Sequence, residues 1–262
     1  MANATPTEPK DFSMEEEHQR MMSSFAQDMI SVPAGAFLMG ATEAEMRQCR
    51  RFGHEFPLHQ VTLSAFAISA YPVTQAQWEV VMGNNPSRFK SADRPVENVS
   101  WNDCQEFIAT LNATSPQSPV NQGGLRGDFR LPTEAEWECA CRAGTQTIWP
   151  FGNDPEPIGQ YAWFNGNAGN QTHPVGKFLP NAWGAYDMLG NVWEWCADWF
   201  DEKYYASSPM KNPQGPSSGQ TRALRGGAWN NYPTICRSAS RNKLAPHIGS
   251  YLIGFRLARS AA

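Results

Sequence analysis

A chain of 262 residues is long enough to bury a substantial core, as one large domain or two small ones. Its 21 basic and 25 acidic side chains leave a net charge of −4, so it lacks the basic footprint of a nucleic-acid binder. Ten Trp, 21 Gly and 20 Pro point to a loop-rich fold held by aromatic packing. No apolar run is long enough to span a bilayer, and the N-terminus has no basic-then-apolar leader, so a cytoplasmic protein is expected.

Residues 1–28 are polar, with an acidic run at Glu15 to Glu17. The first dozen are expected to be disordered and the rest to form a short helix. A domain spanning 29–260 begins where Met29 to Gly40 alternates and turns like a hairpin. His59 to Ile68 reads as the next strand. Thr74 caps a helix running to Met82, with Trp78 and Val81 or Met82 on its apolar face. Ser100 caps a second from Trp101 to Leu111, with Cys104, Phe107, Ile108 and Leu111 on its buried stripe. Gly123-Gly-Leu-Arg-Gly is a turn rather than a phosphate loop, lacking the Lys and helix that such a loop requires.

Thr133-Glu-Ala-Glu is a capping-box pattern that opens a third helix, with Trp137, Ala140 and Cys141 on its apolar face. The helix dipole and solvent account for Glu134, Glu136 and Glu138 beside Arg130. Gly144 to Gly219 is mostly loop, interrupted at Ala185 to Trp195. In it Asp198 and Glu202 read as a polar rim, and Ser207 to Gly219 as a surface linker. The cysteines Cys49, Cys104, Cys139, Cys141, Cys196 and Cys236 mostly keep apolar or aromatic company, which suits reduced, packed thiols. Cys139 and Cys141 are too close together for zinc spacing.

The tail departs from all this. Leu224 to Trp229 and Ile253 to Leu257 read as strand and turn. The apolar and aromatic residues between them follow no helical or strand period, a pattern that suits a contact surface better than a core.

Seven ordered motifs carry a resemblance. They are Val32-Pro-Ala-Gly-Ala-Phe-Leu-Met-Gly, Pro72-Val-Thr-Gln, Pro95-Val-Glu-Asn-Val-Ser-Trp, Arg130-Leu-Pro-Thr-Glu-Ala-Glu-Trp-Glu, Gly190-Asn-Val-Trp-Glu-Trp, Arg225-Gly-Gly and Gly254-Phe-Arg. Together they resemble the formylglycine-generating enzyme (sulfatase-modifying factor) family. The resemblance implies an α+β, C-type-lectin-like fold, with a small twisted antiparallel sheet, two or three helices and much irregular chain.

Family enzymes that make formylglycine bind Cu(I) through two cysteines after the Gly-Gly turn. Here those positions fall on Asn231, which is no soft ligand, and on Cys236. The iron-dependent branch of the family uses a histidine cluster, whereas His18, His54, His59, His173 and His247 are scattered. No catalytic residue is therefore assigned and no cofactor is required.

The tail further resembles the variable proteins of diversity-generating retroelements. In these, template Asn codons are rewritten to a restricted set of residues. On that resemblance the ligand-binding positions are Asn230, Asn231, Tyr232, Thr234, Ile235, Ser240, Asn242, Lys243, Leu244, Ala245, His247, Ile248, Ser250, Tyr251 and Leu252. Trp229, Pro233, Cys236, Arg237, Arg241 and Pro246 serve as scaffold, and Trp229, Arg225 and Arg256 as the floor. The other reading of the tail is a C-terminal hairpin whose apolar residues face the core.

The resemblance also implies a structural calcium ion held by the side chains of Asp187 and Glu194 and the carbonyls of Gly190 and Val192. The alternative is that this stretch bonds only to loop backbone. The reading adopted is a non-enzymatic binding protein whose C-terminal surface, diversified about 230–252, meets a protein or other macromolecule rather than a nucleic acid or a membrane. The alternative is a formylglycine-generating or related metal-dependent oxidase or oxygenase.

Overall fold

Local capping sets the helices, and pairing between distant strands sets everything else. The computed structural model describes residues 22–49, 54–114 and 128–260. The expected disorder of the first dozen residues and the turn at Gly123 lie outside them.

Five α-helices are present among the described residues: α1 (residues 22–27), α2 (Glu43–Gln48), α3 (Gln75–Met82), α4 (Trp101–Thr114) and α5 (Glu134–Arg142). Thr74 and Thr133 each close a capping box, with Gln77 and Glu136 returning the bond. At α4 the Ser100 hydroxyl accepts from the Asp103 N–H at 3.1 Å, and Cys104, Phe107, Ile108 and Leu111 form its buried stripe.

The strands are β1 (Met29–Val32), β2 (Gly35–Met39), β3 (His59–Leu63), β4 (Phe66–Ser69), β5 (Phe129–Arg130), β6 (Trp193–Trp199), β7 (Arg222–Arg225), β8 (Arg241–Leu244), β9 (Ile253–Gly254) and β10 (Ala258–Ser260). They form two four-stranded sheets, ordered β1-β4-β10-β5 and β8-β7-β6-β9, and a β2-β3 ribbon. The first and last strands thus flank β4, which closes the domain on itself. The hairpin expected over Met29 to Gly40 does not form. The chain does turn after Val32, but β1 pairs with β4 while β2 pairs with β3. Nor is His59 to Ile68 one strand, since β3 and β4 belong to different sheets.

Two apolar clusters fill the interior. One surrounds Trp137 and Trp149, and the other Trp78, Phe107, Trp195 and Phe255. In the second, Trp78 stacks on Phe107 at 5.1 Å and Phe255 meets both rings edge-on. All six cysteines are thiols rather than disulfides, and all but the half-buried Cys139 are buried.

Candidate functional site

The C-terminal segment is built on arginines that never reach solvent. Arg225, at the end of β7, is fully buried and pairs with Glu138 and with Glu134 at 3.3 Å. Its two terminal nitrogens also reach forward to the carbonyls of Ser238 at 2.7 Å and Ala239 at 3.2 Å, while its Nε finds no acceptor among the described residues. Arg241 clamps both carboxylate oxygens of Glu134 at 2.6 and 2.7 Å. Arg237 spans Glu45 at 2.6 Å and Glu55 at 2.7 Å, and donates to the carbonyl of Thr234 at 2.7 Å.

The run Arg237 to Arg241 is therefore interior, held by carboxylates far away in sequence. Burial alone would raise the pKa of Glu134, but Arg241 and Arg225 outweigh it and hold the carboxyl below its ordinary value. This corrects the solvent reading of α5. Glu134, Glu136 and Glu138 are all buried, and Glu138 also accepts from Arg142 at 2.9 Å. Asp198, read as a rim residue, is buried too. Its carboxylate accepts the Glu134 N–H at 2.8 Å at the start of α5. Burial, reinforced by the Glu134 charge, lifts its pKa to about 8.

Around this run the loops turn their backbone inward and many side chains outward. The Trp149 indole N–H donates to the Cys236 carbonyl at 2.8 Å, and Asn165 N–H donates to that of Asn231 at 3.0 Å. Asn98 N–H reaches the Ser250 carbonyl at 2.9 Å and Asn102 N–H that of Pro246 at 3.1 Å. At Gly249 the loop passes so close that a Cβ would lie 2.8 Å from the Asn98 carbonyl oxygen, so only glycine fits.

Side chains at Asn230, Tyr232, Thr234, Asn242, Lys243, His247, Ile248 and Tyr251 are exposed, with Tyr232 at 65%, Ile248 at 42% and Tyr251 at 39%. Asn231, Ile235, Leu244, Ala245, Ser250 and Leu252 are half-buried, and Ile235, Leu244 and Leu252 also pack on the second apolar cluster. Ser240 does not belong to the surface. It is 0% exposed, because Arg225 and Arg241 draw residues 238 to 241 inside. Lys243 turns to Glu202 at 2.7 Å, joining the edge near Phe200.

Two residues of this surface escaped the sequence reading. Arg88 and Phe89, on the loop after α3, meet Tyr251 with the guanidinium 4.9 Å and the phenyl ring 6.4 Å from its ring centre. Phe89 also stands edge-on to Trp229 at 5.9 Å, and Trp229 stacks on Tyr251 at 6.1 Å. The expected floor residues Trp229, Arg225 and Arg256 are all buried.

The residues expected for calcium do not fit that ion as they stand. Both Glu194 oxygens are taken by Arg256, at 2.6 and 2.7 Å, and one also accepts from the Trp137 indole at 2.6 Å. Asp187 accepts the Gly176 N–H at 2.7 Å and the Asn191 side-chain N–H at 3.4 Å, so both its oxygens already hold loop groups, and burial raises its pKa to about 6. Among the described residues, no cluster of three or more His, Cys, Asp or Glu is placed to hold a metal.

A two-thiolate copper site also lacks its donors. Asn231 accepts the Ala228 N–H through its side-chain oxygen at 2.9 Å. Burial lifts the Cys236 thiol to about 12. A Cβ on Gly227, whose φ is +84°, would lie 2.7 Å from the Cys236 sulfur, so this thiol packs directly on the Gly-Gly turn. Among the described residues the histidines stay apart: His54 faces Glu202 at 3.7 Å, while His59 and His173 pack on Tyr205 and Trp163.

Comparison with known proteins matches residues 14–261 to the sulfatase-modifying factor enzyme 1-like domain. The chain belongs to that family. Within the sulfatase-modifying factor family it is similar to the formylglycine-generating enzyme of Bos taurus, 30% identical over 88% of this chain and 74% of that one. Among solved structures, Treponema denticola variable protein 1 superposes with a TM-score of 0.77 at 33% identity, covering 88% of this chain and 94% of that one. PvdO from Pseudomonas aeruginosa gives 0.75 at 32% identity with the same coverage. The fold is the α+β, C-type-lectin-like fold of this family. No helix among the described residues is long and apolar enough to cross a membrane.

Proposed function

We propose that this family member is a non-enzymatic binding protein whose C-terminal loops form a diversified contact surface for a protein or other macromolecular ligand. One observation carries the reading. The backbone of those loops is held by donors outside their exposed side chains, from Trp149, Arg237 and the N–H groups of Asn98, Asn102 and Asn165. A loop fixed in that way keeps its shape when its outward side chains change, as a surface with many sequence versions requires. Exposed Tyr232, Ile248 and Tyr251 supply the aromatic and apolar area that binding loops favour. The likeness to a protein named as a variable protein supports the same reading.

The test is the DNA beside the gene. The reading expects a near-copy of the codons for 230 to 252, differing at adenines, next to a reverse-transcriptase gene. Its differences should fall on the codons of exposed residues and skip those for Arg237 to Arg241. Absence of such a copy would remove the diversification.

The second reading is an oxidase of the formylglycine-generating type, favoured by the match to the Bos taurus enzyme. It expects Cu(I)-dependent oxygen consumption with a cysteine-containing peptide, and rapid alkylation of Cys236 by iodoacetamide. The binding reading expects neither.

A further inference from the structure

We infer that the binding surface has a fixed half, formed by Arg88 and Phe89, which selects a protein segment carrying an Asp or Glu carboxylate beside an apolar side chain. This rests on the reading of the C-terminal loops as a binding surface and adds the chemistry of what they bind.

The segment that presents the two residues is rigid from behind. The Phe89 N–H donates to Glu97 at 2.8 Å, its carbonyl accepts from Gln75 at 2.8 Å, and the Ser87 hydroxyl accepts the Glu97 N–H at 3.1 Å. Glu97 and Gln75 are both fully buried. That anchoring leaves Arg88 exposed and Phe89 half-exposed, against the ring of Tyr251. No carboxylate forms an ion pair with Arg88 among the described residues.

The guanidinium lies over the Tyr251 and Phe89 rings at 4.9 and 5.5 Å, contacts that orient it without neutralising its charge. A planar, pre-oriented guanidinium on an aromatic floor matches a carboxylate in plane and an apolar side chain alongside. Lys90, also exposed, donates to the Asn85 carbonyl at 2.5 Å, and its charge, like that of Arg88, is felt by the buried Glu97 behind the loop. Arg88 and Phe89 lie outside residues 230 to 252, so the cation and the Phe89 ring 5.5 Å from it persist when the variable residues change, whereas the Tyr251 contact belongs to this version of the surface.

The full chain is to be probed with an array of short synthetic peptides. Each has a central Trp or Phe flanked by Asp and Glu, by Asn and Gln, or by Lys. The acidic set should retain the chain about two- to fivefold better than the neutral set, with the advantage falling as salt rises. Arg88→Glu, an exposed change, should reverse the order in favour of the Lys set. Phe89→Ala should weaken retention across all sets.

Equal retention of the three sets, retention of none, or an Arg88→Glu variant with unchanged preference overturns the inference. So does Arg88-dependent binding to phosphatidylserine vesicles without peptide preference. If Tyr232→Ser and Ile248→Ser weaken retention while Arg88→Glu alters nothing, the binding surface stands and its fixed half falls. If none of these variants alters retention, both fall.

Discussion

Residues 237 to 241 and the loops on either side of them are neighbours in sequence and opposites in environment. The first run is entirely interior, its two arginines committed to Glu45, Glu55 and Glu134. The flanking loops face water through Tyr232, Thr234, His247, Ile248 and Tyr251 while their carbonyls are held from inside. The difference teaches that tolerance to substitution here comes from where the backbone bonds go, not from secondary structure. Irregular chain can be as rigid as a strand when buried guanidinium and indole donors meet its carbonyls.

The sharpest way to break the comparison is to cut the buried network. Arg225→Ala leaves Glu138 without one partner and frees the carbonyls of Ser238 and Ala239. Breaking a buried pair from one side costs about 3–5 kcal/mol. Denaturant unfolding should show a loss of that size, and a loss below about 1 kcal/mol would mean the network is dispensable.

Next comes a matched pair. Ser240→Tyr forces a large ring into a filled interior and should cost about 1–3 kcal/mol or more. Thr234→Tyr, six residues earlier on an exposed position, should stay within about 0.5 kcal/mol. Equal costs would erase the distinction between the two regions.

A pH series then probes the floor of the network. Asp198 has its pKa raised from 3.8 to about 8 by burial and by Glu134, so the folded protein holds a proton there that the unfolded chain releases. Its contribution to stability is complete below pH 3.8 and is lost as pH rises through about 8. Asp198→Asn keeps an oxygen for the Glu134 N–H and removes the titration. Its Tm should exceed that of the parent more at pH 8.5 than at pH 5, and a gap independent of pH would rule out the titration. The smallest effects belong to the surface. Tyr232→Ser and Lys243→Thr should each move stability by less than about 0.5 kcal/mol in the same unfolding assay.

The sequence revealed what is local and hid what is distant. The caps at Thr74, Ser100 and Thr133 and the stripe from Cys104 to Leu111 are written within a few residues, and each was legible. Strand partnership was not, because β1 and β2 are neighbours in sequence yet pair with different strands.

The same limit hid the burial of α5's carboxylates. Glu134 and Glu138 look solvated until Arg225 and Arg241, roughly ninety and more residues later, are placed beside them. At the surface, composition separated the loops from the core but could not separate Ser240 from Thr234. Both are small and polar, and only the arginine clamps decide which is inside. Arg88 and Phe89 carried no period or motif. The one hint was an Arg-Phe pair inside a polar, Pro-containing turn after α3.

The claim that a rigid interior carries a substitution-tolerant surface has one direct measurement. Two libraries of the full chain should be displayed and sorted by resistance to protease. One randomises Asn230, Tyr232, Thr234, His247, Ile248 and Tyr251 together, and the other Arg237, Ser238, Ala239, Ser240 and Arg241. Most members of the first should remain folded, and nearly all members of the second should be digested. If the first library collapses as completely as the second, the outward loops are part of the core's stability and the account is wrong.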